Sequence, residues 1–558
     1  MKALDESLAK EESSYLDYGY YEVLAEKSRI LQIKLSPILK VLKFDKSKSS
    51  AVDTIKAITY FQGKEGNINS KPPLEFLNYE ERKEVISNDK IRISLYKALL
   101  FRKITENVKS GSLNLVSSYK FKALDEYMIP KDEWEENKEL ILKQAGLEKF
   151  RDCEKVLKEL EIILDKRYVE TNDNILNKKN QLVRIKAMNN FVMHTPAVET
   201  EESKLSDYLP DSRTVSMQEI LSTVSNLSGF LKCFEFYKTT HGRRKPSNEL
   251  IIAGIMSLGY GMGNNDIATI SKGISSSALE NIVNWCFTTE NIRSAIDEIL
   301  RLTDATGIPN LYLDDNKIHT SSDGQKWKVM YDSLNANYSF KYLGKDQGAT
   351  VASFIDKRHF LFYSTVMSSS IREAAYVIDG LMYNEVVKSD IHSTDTHGYS
   401  EIVFGVTHFL SILFAPRIKC VKDQILSMFP GYKTKYKLKE YNILPTHTIN
   451  IKIITEWYDE ILRFIATIKL KRSTASQLLS RLNSYSTQHK LYQALKEFGK
   501  IIKSIFILKY IDDLNLRQSI EKQLNLIENN NKFSNAIAQE NDHSFIQQTQ
   551  SEQIIVTA

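Results

Sequence analysis

The chain has 558 residues, 42% of them hydrophobic and 26% charged, which describes a folded protein with ample core and excludes a disordered one. At 100–200 residues per domain, roughly three or four domains are expected. The formal charge of +5 permits a nucleic-acid partner without arguing for one, because the distribution of charge matters more than its sum. Residues 1–195 read as a helical scaffold: Val23, Leu24, Ala25 and Leu31 recur near a helical period among Glu and Lys, and a charged and apolar pattern runs from Trp134 to Leu164. Within it, Leu113 to Pro130 is more mixed and reads as a short hairpin or an irregular platform. Residues 196–215 form a polar, acidic linker with a turn at Leu209-Pro210-Asp211-Ser212. Helices resume over 216–305, interrupted by the basic loop His241 to Glu249, where Ser247 is placed to cap the next helix. Gly259, Gly261 and Gly263 lack the preceding strand and full spacing of a dinucleotide loop, so they read as a tight helix-to-helix turn. Over 306–400 the period becomes that of strands, at Leu311 to Leu313, Trp327 to Tyr331, Ala349 to Ile355 and His359 to Val366. A helix at Ile371 to Tyr383 and a short strand into Asp395 follow. Residues 401–523 are helical again, 524–540 read as a further helix, and 541–558 as a mobile polar tail.

Cys153, Cys233, Cys286 and Cys420 form no close pair, which excludes a zinc site built on C-x-x-C and fits free thiols in a reducing compartment. No apolar run approaches the roughly 20 residues that cross a bilayer, and Met1-Lys2-Ala3-Leu4-Asp5-Glu6 is not the start of a signal peptide. The expectation is a cytoplasmic protein without membrane contact.

Two stretches in the strand-rich segment share a character. His319-Thr320-Ser321-Ser322-Asp323-Gly324-Gln325 reads as a strand that ends in an Asp-Gly turn, and Ser393-Thr394-Asp395-Thr396-His397-Gly398 again sets an acid among small hydroxyl residues with a glycine after it. A carboxylate at a strand end, flanked by small residues, can reach a metal ion unobstructed; either stretch alone is also ordinary turn punctuation. Asp314-Asp315 read as a solvated turn, with a supporting role at the site as the alternative. Gln325 reads as a donor to a phosphate or as a turn filler, and His397 as a partner of the acid or a structural histidine.

These stretches resemble the Tn-three family of replicative DDE transposases, in which they carry the first two catalytic acids. The resemblance continues, in the family's order, through Leu115 to Tyr119, Trp134, Asn335-Ala336-Asn337-Tyr338, Tyr376 to Leu381, Phe414 to Ile418, Ala494 to Lys500 and Leu524 to Glu528, and covers about residues 20 to 540. It implies a mainly α protein with an embedded α/β RNase H-like core. There the β-β-β-α-β order brings Asp323 and Asp395, 72 positions apart (395 − 323), onto neighbouring strands of a mixed sheet. A long helical insert precedes the third acid, Glu528, which has Ile527 before it where the family has glycine and asparagines after it where the family has basic or small residues. A glutamate at a helix start is otherwise a capping or dipole partner.

The chemistry implied is phosphodiester cleavage with two Mg²⁺, or Mn²⁺ in their place, held by Asp323, Asp395 and Glu528. Two such ions ~3.5–4 Å apart activate the attacking oxygen and neutralise the leaving one. The implied partners are double-stranded DNA, as transposon ends and as target, and a second copy in an active homodimer; the implied location is the cytoplasm, on the nucleoid. Family members are longer at both ends, so the chain is expected to be shortened, with Glu528 poorly anchored and nicking weak or absent. Two other readings compete: a non-catalytic DNA-binding remnant, and a generic RNase H-fold nuclease.

For the DNA contact, Lys469, Lys471, Arg472, Arg481, Lys490, Lys496, Lys500 and Lys503 stand against a single acid, Glu497. Such one-sided charge suits phosphate neutralisation, against the alternative of a solvated helix face. Arg243, Arg244 and Lys245 form a second, smaller basic cluster.

Overall fold

The computed structural model describes residues 20–68, 71–87, 90–118, 122, 124–187, 190–197, 214–237, 245–313, 317–329, 337–338, 344, 346–368, 373–396, 398–432, 441–482, 489–539 and 545–546. Arg243, Arg244, Asp314, Asp315, Asn335, Ala336 and His397 lie outside the described residues, as do most of the linker and of the tail. Helices α1 (Tyr20–Val41), α2 (Val52–Gly63), α3 (Tyr79–Val85), α4 (Ile93–Ser110) and α5 (Lys131–Gln144) come first. Next are α6 (Cys153–Leu176), α7 (Met217–Ser228), α8 (Asn248–Gly259), α9 (Asn264–Ile270), α10 (Ser276–Cys286) and α11 (Thr289–Ala305). Strands β1 (His319–Val329), β2 (Asn337–Tyr338), β3 (Gln347–Asp356) and β4 (Leu361–Ser368) lead into α12 (Ala374–Met382), β5 (Ile391–Thr394), α13 (Glu401–Phe409) and β6 (Leu413–Phe414). Helices α14 (Ile451–Lys469), α15 (Ala475–Leu482), α16 (Lys490–Asp512) and α17 (Leu514–Gln539) follow, then β7 (Phe545–Ile546). The chain is mostly helical with one mixed sheet, and no helix among the described residues is long and apolar enough to cross a membrane.

The chain forms two compact units, Met1–Arg151 with Trp457–Ala494, and Asp152–Glu456 with Leu495–Ala558. In the first, Ile55, Ile58 and Phe61 recur at a helical period on α2 and pack with Tyr96, Leu99 and Phe101 of α4. The described part of the mixed segment 113–130 is irregular apart from a 3₁₀ turn at Leu124–Glu126 and a bridge from Leu115 to Phe44. It is pinned by buried Arg463, which donates to the Ile129 carbonyl at 2.8 Å and pairs with Asp125 and Glu460. A guanidinium has five donors in a fixed fork and can satisfy several carbonyl and carboxylate groups of an irregular segment at once.

The second unit holds the sheet, in the order β6-β5-β1-β3-β2, with β4 beside β3 and β7 beside β1. Strand β1 runs antiparallel to β3 from Thr320↔Asp356 to Lys328↔Gly348 and parallel to β5 from His319↔Ile391 to Ser322↔Thr394. Apolar side chains of α8, α10 and α11, among them Ile251, Leu279 and Ile292, pack with Trp327, Val351 and Val366 of the sheet. Close helix packing explains Gly499: a Cβ there would collide with the backbone of Glu401 on α13.

Several expectations change. Leu311 to Leu313 is not a strand: Ile308–Tyr312 forms a 3₁₀ turn after left-handed Gly307. Asp323-Gly324 is not a turn, because β1 continues through it to Val329 with Gly324 paired to Ala352. Glu528 does not start a helix at 524; α17 begins at Leu514, since nothing in Leu514 to Gln523 breaks it. In the tail, Phe545–Ile546 pairs in parallel with Lys328-Val329 of β1. Ser247 does cap α8, accepting from the Leu250 amide at 3.3 Å, and Gly261 and Gly263 take positive φ between α8 and α9.

Candidate active site

Strand pairing sets the site. Ser322 on β1 faces Thr394 on parallel β5, so Asp323 and Asp395 each stand one residue further on, side by side where β5 ends. Side chains of a strand alternate between its two faces. Ser321, Asp323 and Gln325 turn to α17: Ser321 Oγ donates to the Gln523 carbonyl at 3.1 Å, Gln325 Nε2 to the Asn531 carbonyl at 3.3 Å, and Asn531 Nδ2 donates to Asp323 Oδ2 at 2.8 Å. Gln523 Nε2 also donates to the Ile355 carbonyl of β3 at 3.3 Å. Gln325 is therefore committed to the α17 interface and fills no turn.

Thr320 and Ser322 turn the other way, to buried His392, at 2.8 and 3.0 Å from its Nδ1 and Nε2. His392 is stacked between Phe354 and Phe414, and His319 Nε2 meets Ser393 Oγ at 2.7 Å. Burial pushes His392 down to about 3 and His319 down to about 4, so both rings are neutral at pH 7; His392 holds the Thr320 and Ser322 hydroxyls on the face opposite Asp323, and His319 holds the Ser393 hydroxyl on the Asp323 face. The serines and threonines of both motifs thus have a bonding role as well as a small size.

Glu373, which precedes α12, completes the surroundings. It occupies the N-cap position but makes no capping hydrogen bond; its carboxyl lies over Gly324, where a Cβ would collide with it. Glu373 lines one pocket with Asp323, Asp395 and Thr394. Burial, first, and the negative charges of Asp323 and Asp395 push Glu373 up to about 7, against Lys326 with its Nζ at 4.0 Å. Burial and then Asp395 raise the Asp323 carboxyl, against the Gly324 amide and Asn531. Asp395 Oδ1 accepts from the Gly398 amide at 3.0 Å.

Glu528 is 42% exposed and lies 3.7 Å from Arg417, which also reaches Glu521 at 3.3 Å. The Arg417 amide donates to the Thr394 carbonyl at 2.9 Å, so this arginine is tied to the end of β5 beside Asp395. The expectation that Glu528 is poorly anchored fails: Gln523, Asn531 and Arg417 fasten its helix to the sheet. Ile527 is fully buried.

The donor set suits a hard divalent ion: hard carboxylate oxygens of Asp323, Asp395 and Glu373 around one pocket, and a Thr394 hydroxyl, 1% exposed, with no hydrogen-bond partner among the described residues. As they stand, no three His, Cys, Asp or Glu side chains among the described residues are gathered closely enough to hold an ion.

The basic stretch does not form one cationic face. Lys503 is 8% exposed in its side chain and pairs with Glu401 at 3.1 Å, and Lys500 pairs with Glu497 at 2.5 Å. Arg481 is buried over the Tyr127 ring, 5.1 Å from its centroid. Arg472 pairs with Glu133 at 3.4 Å, Lys469 reaches the Gly146 carbonyl at 3.5 Å, and in the smaller cluster Lys245 pairs with Glu235 at 3.1 Å. Lys471 and Lys490 are exposed and Lys496 half-buried. The count of a single opposing acid overlooked partners supplied from distant segments.

Sequence reasoning missed Glu373, Asn531 and Arg417 as site residues. Asn531 stands three residues after Glu528, on the same side of one helix, and the strand glycine signals a close approach; Arg417 lies in the family-like stretch Phe414 to Ile418, but nothing there named Glu528 as its partner.

Residues 219–558 match the family model of the Tn3 transposase DDE domain. The chain belongs to that family. It is 27% identical over 550 residues to the transposase for transposon Tn1546 of Enterococcus faecium, covering 95% of this chain and 53% of that protein. It is 28% identical over 548 residues to the transposase for transposon Tn2501 of Escherichia coli, covering 94% and 53%. With the transposase for transposon gamma-delta of Escherichia coli (strain K12) it shares 28% identity over 222 residues, 39% of this chain and 22% of that protein. The chain thus spans about half the length of the first two relatives.

Proposed function

We propose that this chain is a DDE transposase core with an RNase H-like fold that nicks DNA at transposon ends and transfers the freed 3′-OH to target DNA. Asp323, Asp395 and Glu528 are its three acids, and its partners are double-stranded DNA and a second copy of the chain, in the cytoplasm on the nucleoid. The observation that carries the reading is the parallel pairing of Ser322 with Thr394, one residue before each aspartate, in a chain of this family. When bound, Mg²⁺ or Mn²⁺ supplies charge neutralisation at the attacking and leaving oxygens. Asp323, Asp395 and Glu528 would hold the ions. Asn531 fixes the orientation of the Asp323 carboxyl, the Gly398 amide that of Asp395, and Arg417 restrains Glu528 on α17. The fixed positions matter because a displacement of ~1 Å in such a site costs on the order of 100-fold in rate. Exposed Lys471 and Lys490 remain candidates for phosphate contact.

A second reading, a DNA-binding chain without catalysis, draws on the same geometry: no three acids are gathered as they stand among the described residues, and Glu528 is engaged by Arg417. The purified chain, incubated with Mg²⁺ and duplexes that carry either terminal inverted repeats or scrambled sequence, separates the readings. A transposase core nicks at the repeat ends and loses this activity in Asp323→Asn. Nicking without preference for the repeats marks a generic nuclease, and binding without nicking marks the non-catalytic chain.

A further inference from the structure

The third acid of the family comes from α17, yet the carboxyl that shares a pocket with Asp323 and Asp395 comes from the other side of the sheet. Glu373 lines that pocket. Its place is prepared in the backbone: β1 carries Gly324 and its antiparallel partner on β3 is Ala352, both pocket residues. A side chain on Gly324 would displace the Glu373 carboxyl. A glycine inside a paired strand weakens the strand and marks a close approach by another group, and here that group is a carboxylate. Glu373 also leaves its own helix uncapped, which forgoes a stabilising contact that a glutamate at a helix start would otherwise make with the free amides.

An independent observation points to a ligand between these groups. The Thr394 hydroxyl, on a residue 1% exposed, lines the same pocket and has no hydrogen-bond partner among the described residues. A buried hydroxyl left without a partner is unfavourable, and an occupant that it could bond would remove that cost. Glu528, by contrast, is held by Arg417 and more than a third exposed.

Building on the functional reading above, we propose that Glu373 is a fourth carboxylate of the cation site, meeting the ion with Asp323 and Asp395 before DNA arrives, while Glu528 stays with Arg417. The site then has acids on both sides of the sheet, Glu373 beside α12 and Glu528 on α17, around the aspartates of β1 and β5. The competing role for Glu373 is a structural ion pair with Lys326 at 4.0 Å.

Mn²⁺ binding to the full chain without DNA, followed by electron paramagnetic resonance of the free ion, tests this without reference to activity. Glu373→Gln is expected to weaken Mn²⁺ binding about tenfold or more, within the range seen when groups around a metal are altered. Glu528→Gln is expected to change it less than about threefold, and Asp323→Asn to weaken it most. Lys326→Met removes a competing cation and is expected to tighten binding. If Glu373→Gln binds Mn²⁺ as the parent does while Asp323→Asn and Asp395→Asn do not, the fourth-carboxylate role is overturned and the reading of the two aspartates stands. If neither aspartate variant changes binding, that reading fails and takes this inference with it. Should Glu373→Gln not fold, Glu373→Asp, with the charge kept and the reach shortened, is expected to show the same loss; unaltered affinity there overturns the proposal.

Discussion

The acids of β1 and β5 and the cations of α14 to α16 were both conspicuous runs in the sequence, and their fates in the structure differ. Asp323 and Asp395 are placed by backbone pairing, Ser322 opposite Thr394, so their neighbourhood is fixed once the strands are paired. Lys500, Lys503, Arg472 and Arg481 are placed by long side chains that are free to find partners, and Glu497, Glu401, Glu133 and Tyr127 are those partners. A motif whose residues are held by a ladder keeps its local meaning in the fold. A charge run has that meaning only if nothing distant in sequence neutralises it.

The largest effect that could break this contrast is at the acids. Asp323→Asn or Asp395→Asn is expected to lower metal-dependent nicking on the order of a thousandfold, the several kcal/mol that a bound divalent ion contributes to the transition state. DNA affinity should hold. A parallel loss of affinity in filter binding would show that the acids act through folding instead.

A smaller effect concerns how tightly the ladder is packed. Gly324→Ala places a Cβ against the Glu373 carboxyl and is expected to cost about 1–3 kcal/mol in denaturant unfolding, the range for overpacked sites. Combined with Glu373→Ala it should cost clearly less than the sum, because contacting residues are non-additive; strict additivity would mean that the two do not touch.

The two neutral histidines of the sheet make a prediction about pH. His392 and His319 have folded values of about 3 and about 4, below the ordinary 6.5. Above pH 6.5 folded and unfolded chains are both neutral at these rings, and stability is fully present. As pH falls, the unfolded chain takes up protons that the folded one refuses, so stability drops by roughly 1.4 kcal/mol per pH unit for each ring until its folded value is reached. Thermal unfolding from pH 7 to pH 4.5 should show this decline, and His392→Gln should make it shallower. An unaltered slope in the variant would place the acid sensitivity elsewhere.

The smallest effects sharpen the other half of the comparison. Lys503→Met leaves Glu401 without its buried partner and is expected to lower stability by about 1–3 kcal/mol, with the salt dependence of DNA binding unchanged. Lys490→Gln, at an exposed position, should leave stability alone and reduce the salt slope by roughly 0.9, the share of one phosphate contact. The reverse pattern would restore the continuous basic face.

Much of this was readable in the sequence, and the gaps have physical causes. The order of strands and helices from Trp327 to Asp395 follows the change in apolar period, and Ser247 is a sufficient cap signal for α8. The Asp-Gly pair misled because a glycine in a strand and a glycine in a turn look alike until the neighbour that demands it is known; here that neighbour is Glu373, 49 positions later (373 − 324). Leu311 to Leu313 misled because three apolar residues do not separate a strand from a 3₁₀ turn. Arg417 holds Glu528 from 111 positions away (528 − 417), and no periodicity reports a contact of that range.

The most direct test of the cation site is to map it with the ion itself. Fe²⁺ in place of Mg²⁺, with ascorbate and peroxide, generates hydroxyl radicals that cut the backbone beside the residues holding the metal. The expected result is cleavage near Asp323 and near Asp395, with a weaker cut near Glu373, and loss of all three in Asp323→Asn or when excess Mg²⁺ is present. Cuts confined to other parts of the chain, or cuts at these positions that survive Asp323→Asn, would contradict a divalent-ion site built where the end of β5 pairs with the middle of β1.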